Sequence, residues 1–170
     1  MANQRLWAPW RLEYIKAARG QASSAQDECI FCSKPKLGDD AEALIPYRGE
    51  RCFVMLNAFP YNNGHLMIAP YEHTGELEAL DEPTALELMT LTQRSLRALN
   101  RAYEPDGFNL GINLGTIAGA GFADHVHMHV VPRWAGDTNF MPVIADTRVL
   151  PQALADGYAA VRDAFAALEG

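Results

Sequence analysis

The chain has 170 residues, of which 49% are apolar and 21% are charged. This length and composition are typical of one globular domain with a substantial buried core. The formal net charge of −7 argues against a binder of nucleic-acid polymers, because affinity for the phosphate backbone depends on an excess of Lys and Arg. The sequence contains no apolar run of membrane-spanning length and no signal-peptide core at its start. We therefore expect a cytoplasmic protein without a membrane partner.

The first 28 residues are predicted to be peripheral to the domain. The segment Trp7-Ala8-Pro9-Trp10 is rigid and aromatic, and we expect it to dock on the domain or on a second subunit. A short helix is predicted near residues 12–18, and a polar loop is predicted to follow it.

The three cysteines are Cys29, Cys32 and Cys52. An odd number argues against a disulfide scaffold. In a reducing compartment, Cys29-Ile30-Phe31-Cys32 is interpreted first as half of a zinc site and second as a redox pair. The redox interpretation requires a following helix, and residues 33–36 are predicted to start none. Cys52 lies in an apolar segment and is predicted to be a plain core residue.

Five short apolar or alternating segments predict strands. The first two are predicted to be joined by a turn at Arg48-Gly49-Glu50, and a turn-rich loop over residues 57–64 precedes the third. His73 follows the edge of the third strand. The predicted strands cover residues 44–47, 52–56, 65–69, 108–114 and 125–131.

Two long helices are predicted, over residues 82–103 and from residue 149 or 150 to 168. Thr74 is a candidate N-cap for a shorter helical turn that ends near Leu80, and residues 134–139 are predicted to be loop. In the first long helix, Glu87, Arg94 and Arg97 are assigned to the solvated face. The apolar stripe predicted to enter the core consists of Ala85, Leu88, Met89, Thr92, Leu96, Leu99 and Tyr103.

These elements predict an α+β fold. Strands joined by tight turns, with a helix inserted between the third and fourth, suggest an antiparallel sheet with helices on one face. The opposite face is then expected to hold the histidines.

Three of the five histidines alternate with apolar residues in His125-Val126-His127-Met128-His129. On a strand this spacing places the imidazoles on one face and the apolar side chains on the other. A glycine-rich run over residues 115–121 lies just upstream, where small residues let backbone N–H groups approach an anion. Together they favour phosphate chemistry; a metal site, or surface histidines on a half-exposed strand, are the alternatives.

The sequence resembles the histidine triad (HIT) superfamily, whose signature is His-x-His-x-His followed by apolar residues. Asn57 with Pro60 and the run Gly64-His65-Leu66-Met67 resembles its ribose-binding loop and following strand, and Asn113-Leu114-Gly115 resembles its Asn-x-Gly. The resemblance implies a five-stranded antiparallel sheet with a long helix and a C-terminal helix. It also implies a HIT domain over residues 29–170, preceded by the extension 1–28.

Further motifs resemble one branch, the bacterial diadenosine tetraphosphate phosphorylases. These motifs lie at residues 6–11, 29–32, 60–66 and 131–134. The resemblance implies a nucleotidyl transferase or phosphorylase that splits diadenosine tetraphosphate with phosphate into ATP and ADP. The alternatives are a hydrolase of dinucleoside polyphosphates or nucleoside phosphoramidates, and a non-catalytic nucleotide-binding protein.

The resemblance also implies roles for individual residues. His127 is expected to be the nucleophile that forms a nucleotidyl-histidine, with its other ring nitrogen donating to a backbone carbonyl. Asn57 is expected to hold ribose hydroxyls, and Asn113 is a weaker substrate-binding candidate that could equally be a strand-end turn residue. Many relatives have Gln-Ser or Gln-Thr at positions 121 and 122, so backbone amides are expected to act there instead. The expected donors to the phosphoryl oxygens are His129 and the amides of Gly121, Phe122 and Ala123.

In zinc-bearing relatives, two histidines complete a site begun by the cysteine pair. The matching ligands here are Cys29, Cys32, His73 and His125, which implies a structural zinc; no catalytic cofactor is expected. The alternative is that no metal binds and His73 is a surface residue, while His65 is expected to make only core or loop hydrogen bonds. The implied partners are a purine nucleotide or dinucleoside polyphosphate and a second copy of the chain in a homodimer.

Overall fold

The computed structural model describes residues 29–137 and 152–169. The predicted extension 1–28, with its tryptophan segment and short helix, lies outside these residues. Within them, no helix combines the length and apolarity needed to cross a bilayer.

The predicted five-stranded antiparallel sheet is confirmed, and the fold class is α+β. The strands are β1 (Tyr47–Arg48), β2 (Cys52–Leu56), β3 (Leu66–Pro70), β4 (Gly107–Ile112) and β5 (Met128–Arg133). Their spatial order is β1-β2-β3-β5-β4. Strand β5 therefore lies between β3 and β4, and His129 pairs with Met67 on one side and Gly111 on the other.

Within residues 29–137 and 152–169, four α-helices accompany the sheet. The two short ones are α1 (Ile30–Ser33), continued by a 3-10 turn at Lys34–Lys36, and α2 (Asp40–Ala43). The two long ones are α3 (Glu82–Tyr103) and α4 (Leu154–Ala166). The prediction of α3 is confirmed at both ends, and Asp81 caps it by accepting a hydrogen bond from the Thr84 amide at 2.8 Å.

The two long helices, α3 and α4, pack on one face of the sheet and the histidines lie on the other, as predicted, whereas the short helix α1 lies on the histidine face. One core cluster joins α3 and α4 to side chains such as Val54, Ile68 and Val130. A second cluster on the other face contains Phe53 and Met55 of β2 together with Phe31 of α1. The structure therefore has two apolar layers, and the histidines border the second.

Several predicted boundaries are wrong. Residues 44–46 do not form a strand, because Leu44 adopts a left-handed conformation (φ 61°) that ends the unpredicted α2. The helical turn after Thr74 is shorter than predicted and covers Leu77–Ala79. Residues 33–36 are helical where none was predicted. Helix α4 covers a shorter range than predicted; residues 138–151 lie outside the described parts of the chain.

The exposed face of α3 differs from the prediction at four positions. Ala85 is exposed, and Met89 is 50% exposed, because Leu91, Ser95 and Ala98 take the core positions instead. Glu87 is not simply solvated: its carboxylate accepts the amides of Glu50, Arg51 and Cys52 at 2.6–3.1 Å.

Arg94 is also more than a solvated residue. It donates to the Tyr47 hydroxyl at 2.7 Å, lies over the Tyr47 ring and pairs with Glu169. Arg97 is exposed as predicted. Long side chains on this helix thus fix β1, the turn after it and the end of α4, which periodicity alone cannot reveal.

Candidate active site and metal cluster

The three alternating histidines belong to two different backbone environments. Only His129 lies on a strand, because β5 begins at Met128. His125 and His127 lie in residues 125–127, termed here the lead segment, whose Val126 amide donates to Thr74 O at 2.7 Å instead of joining the sheet ladder. The prediction of a strand from residue 125 is therefore wrong, although the alternation persists.

Four side chains meet at the start of the lead segment. Cys29 Sγ lies 3.3 Å from His125 Nδ1, and Cys32 Sγ lies 3.2 Å from His73 Nδ1. The two Nδ1 atoms are 3.3 Å apart, and all four ligand atoms lie within 4.8 Å of one another. Around a tetrahedral zinc with bonds of about 2.0–2.3 Å, ligand atoms are separated by roughly 3.3–3.8 Å. The cluster can therefore hold a metal ion.

The state of His125 suits this role. Its Nε2 lies 2.9 Å from Pro70 O, a carbonyl that only accepts, so Nε2 carries the proton and Nδ1 offers its lone pair to the cluster. Burial lowers the pKa of His125 to about 4, which keeps the imidazole neutral, as a metal ligand must be. The cysteines form no disulfide, and the convergence of two histidines on them favours the metal interpretation over the redox pair.

His127 is held by one hydrogen bond and two rings. Its Nδ1 lies 2.8 Å from His125 O, so Nδ1 donates to that carbonyl and Nε2 carries the lone pair. The ring of Phe31 lies 4.6 Å away and the ring of His129 4.8 Å away, measured between centroids. The side chain is 3% exposed, and this burial lowers the pKa of His127. The ring is therefore neutral at pH 7 and nucleophilic at one nitrogen.

His129 is oriented by His65, which sequence reasoning assigned only to core or loop hydrogen bonding. The Tyr61 amide donates to His65 Nδ1 at 3.1 Å, so His65 carries its proton on Nε2. That Nε2–H donates to His129 Nδ1 at 2.9 Å. His129 in turn carries its proton on Nε2, where it is a hydrogen-bond donor. The period-two pattern of β3, paired with β5, places His65 on the same face as His129.

The substrate-binding candidates Asn57 and Asn113 occupy the ends of strands. Asn57 follows β2; its Oδ1 accepts the Phe59 amide at 2.9 Å, and its Nδ2 lies 3.4 Å from His65 Nδ1. This side-chain amide therefore borders the histidine row. Asn113 directly follows β4 and is partly exposed, a position compatible with both of its predicted roles.

The glycine-rich run forms a short turn and then a stretch of open amides. A 3-10 turn covers Thr116–Ala118, between two glycines with positive φ, Gly115 at 77° and Gly119 at 93°. The Phe122 ring packs edge-on against Phe31 at 5.9 Å, which brings this loop to the site. Within the described residues, no hydrogen bond forms from the amides that were assigned to phosphate binding. Those amides belong to Gly121, Phe122 and Ala123.

A close backbone contact that the sequence did not reveal supports the same loop. A Cβ added to Gly75 would lie 2.5 Å from Ala123 O and 3.1 Å from Asp124 Cα. Only glycine allows the segment after His73 to lie this close to the chain that enters the lead segment. The sequence shows only that Gly75 lies two positions after His73, and this does not reveal the contact.

A polar cluster anchors the loop before β3 to the chain after β5. Asp137 accepts from Arg133 and from Asn62 Nδ2, the latter at 2.7 Å. The hydrogen bonds from Arg133 hold the pKa of the Asp137 carboxyl well below its usual value. Asn62 also donates to Pro132 O at 3.0 Å. The loop that carries Asn57 and Tyr61 is thus tied to the end of the histidine strand.

Comparison with known proteins places this geometry in context. Residues 39–136 match the model of the HIT domain. The chain is 46% identical over 156 residues to the AP-4-A phosphorylase of Mycobacterium tuberculosis, covering 90% of this chain and 80% of that protein.

Two solved structures share the fold. The crystal structure of a Zn-bound histidine triad family protein from Mycobacterium smegmatis has a TM-score of 0.69 and 27% identity, covering 85% of this chain and 97% of that one. A hypothetical histidine triad nucleotide-binding protein from Sulfolobus tokodaii has a TM-score of 0.66 and 25% identity, covering 83% and 94%. Both similarities extend over most of each chain.

Proposed function

The chain belongs to the HIT domain family, and from this premise we propose that it is a phosphorylase that splits diadenosine tetraphosphate with inorganic phosphate into ATP and ADP. The relative with 46% identity over 90% of the chain carries the name AP-4-A phosphorylase. The observation that carries the proposal is the 2.8 Å hydrogen bond from His127 Nδ1 to His125 O, since it leaves Nε2 as the nucleophilic nitrogen.

The reaction proceeds in two displacements. The Nε2 lone pair of His127 bonds to the α-phosphorus as the bond from that phosphorus to the bridging oxygen breaks, and ATP leaves. Inorganic phosphate then attacks the adenylyl-histidine, the phosphorus–nitrogen bond breaks and ADP leaves. The His125 carbonyl stabilises the positive charge that the imidazole acquires in between.

Hydrogen-bond donors on two sides of His127 stabilise the negative charge that develops on the phosphoryl oxygens. His129 Nε2–H is one donor, since its Nδ1 accepts from His65. The amides of Gly121, Phe122 and Ala123 are the others, and Asn57 and Asn113 hold the nucleoside. Positioned donors of this kind dominate catalysis of phosphoryl transfer, because there is little covalent chemistry for the protein to perform.

The metal cluster binds a structural zinc. Two thiolates and two imidazoles are the ligand set of closed, four-coordinate zinc sites, with no open position for substrate. The bound ion cross-links the segments that carry Cys29, Cys32, His73 and His125, and so braces the start of the lead segment. No step of the reaction requires it, and no catalytic cofactor is assigned.

The active form is a homodimer joined through the sheet edge and the long helix. Strand β4 is at the edge of the sheet, where Leu110 is 48% exposed, and on α3 Leu86 is 70% and Met89 50% exposed. The enzyme acts in the cytoplasm on purine nucleotides and not on nucleic-acid polymers, in keeping with its net charge of −7. Residues 1–28 form an extension to the HIT domain.

The test is to incubate the full chain with diadenosine tetraphosphate, with and without phosphate. ATP and ADP formed only with phosphate is the expected result. AMP and ATP formed in water alone would replace the proposal with hydrolysis, and binding without turnover would indicate a nucleotide-binding protein. Phosphate labelled with ³²P that appears in ADP and not in ATP would establish which product receives it.

A further inference from the structure

Phe31 lies between the two cysteines of the metal cluster, on a helix of a single turn, and it is 1% exposed. Its ring centroid lies 4.6 Å from that of His127 with an angle of 30° between the planes, and 5.1 Å from that of His125 at 40°. The ring of Phe31 therefore packs against both the proposed metal ligand His125 and the proposed nucleophile His127.

Among the residues that the structure describes, one hydrogen bond and the rings of Phe31 and His129 orient the ring of His127. The segment lies outside the sheet ladder, and the hydrogen bond from Nδ1 to His125 O holds the ring at one atom only. If the His127 ring pivoted about this hydrogen bond, Nε2 would move away from a phosphorus placed for in-line attack. The ring of Phe31, tilted by 30°, opposes this rotation on one side, and the His129 ring, 4.8 Å away at 72°, lies against another.

We propose that Phe31 is a positioning residue that aligns His127 for attack and couples this alignment to the metal cluster. This inference rests on the proposed function. Cys29 and Cys32 anchor both ends of the turn that carries Phe31, so a metal ion bound there fixes the ring. Without the ion, the turn is held by apolar packing and by the two amides that donate to Cys29 O at 2.9 Å.

Phe53 provides a matched control for ordinary packing. It is 0% exposed, belongs to the same apolar cluster as Phe31, and stacks on Tyr71 at 5.1 Å. Replacement of either phenylalanine by leucine removes an aromatic ring from the same layer. Only Phe31→Leu removes the aromatic ring that packs against His127.

The kinetic experiment compares Phe31→Leu with Phe53→Leu in the full chain. We expect Phe31→Leu to lower kcat by roughly 10- to 100-fold with little change in KM for diadenosine tetraphosphate, since a displacement of about 1 Å can have this effect. We expect Phe53→Leu to lower the unfolding temperature but leave kcat near the wild-type value. Equal kcat losses in the two variants would overturn the inference.

A spectroscopic experiment tests the same point without turnover. In the wild-type protein stripped of metal, added zinc should shift the His127 ring resonances in NMR spectra. In Phe31→Leu we expect a shift at most half as large, although zinc still binds. Equal shifts in both proteins would overturn the coupling, and this outcome can be recognised even if the wild-type protein fails the phosphorolysis test.

Discussion

The two ends of the histidine row have the same spacing but opposite surroundings. At the first end, His125 meets two thiols and a second imidazole, is 1% exposed and turns its Nδ1 lone pair toward them. At the other end, His129 is partly exposed and accepts a hydrogen bond from His65, so its Nε2 is a donor. His127 lies between the two ends. The comparison shows that the partner of each imidazole, and not its place in the pattern, decides its chemistry.

This difference supports the proposed division of the site into a structural half at His125 and a reactive half at His129. A change at the His125 end should alter metal content and stability first. A change at the His129 end should alter the rate first, with metal content unchanged.

Replacement of the central residue should have the largest effect on the rate. His127→Ala removes the proposed nucleophile, so we expect kcat for phosphorolysis to fall by at least about 10⁴-fold. Metal content should stay close to the wild-type value, whereas the unfolding temperature should fall because loss of the buried ring leaves a cavity. The control is Met128→Leu, a neighbouring change of similar volume on the opposite face, with a kcat near that of the wild type. A His127→Ala enzyme that kept full activity would eliminate the covalent intermediate.

Replacement at the His125 end should act on stability. Cys32→Ser removes one ligand of four, and we expect the free energy of unfolding to fall by about 3 kcal/mol or more as zinc is lost. Thermal unfolding and metal analysis of protein purified without added metal measure both effects. Cys52→Ser is the control, because Cys52 is buried, donates to Thr84 O and packs on the opposite face of the sheet from the cluster. Less than one zinc per two wild-type chains would count against a zinc site.

Replacement at the His129 end should lower the rate and leave the metal content unchanged. His65→Leu removes the donor to His129 Nδ1, and we expect kcat to fall by roughly 10- to 100-fold, the usual effect of losing a residue that orients a site ligand. His65→Gln, which can still donate to His129, should recover part of the rate. Metal content should match the wild type in both variants. A lower metal content in His65→Leu would show that the two halves are not separate.

A change on the helical face of the sheet should affect neither half. Glu87→Gln weakens the hydrogen bonds to the turn amides of residues 50–52, and we expect the free energy of unfolding to fall by about 1–2 kcal/mol. Both kcat and metal content should remain near the wild-type values. A clear loss of kcat in this variant would mean that the rate responds to general stability, and the division between the two ends would lose its support.

The sequence predicted much of the fold because the relevant signals are local. Alternation over residues 125–131, helical spacing over 82–103 and the turn residues before β3 each depend on neighbours in the chain. The boundaries of β1 and β5 were predicted less well. Leu44 ends a helix that Asp39 caps. In the lead segment, the Val126 amide donates its hydrogen bond to Thr74 O rather than to a neighbouring strand. Thr74 lies far from Val126 in the sequence, so this competing hydrogen bond is not visible in a short window.

The sequence by itself determined the α+β class, the long helix, the period-two histidine row and the pair of cysteines that begins the cluster. The tertiary structure decided which imidazole faces thiols, which carbonyl fixes His127, and that Phe31 and His65 support the row from either side. The physical reason is separation along the chain: Cys29 and His125, for example, are 96 positions apart. Contacts of this kind form only when the sheet register and the packing of α1 bring distant segments together.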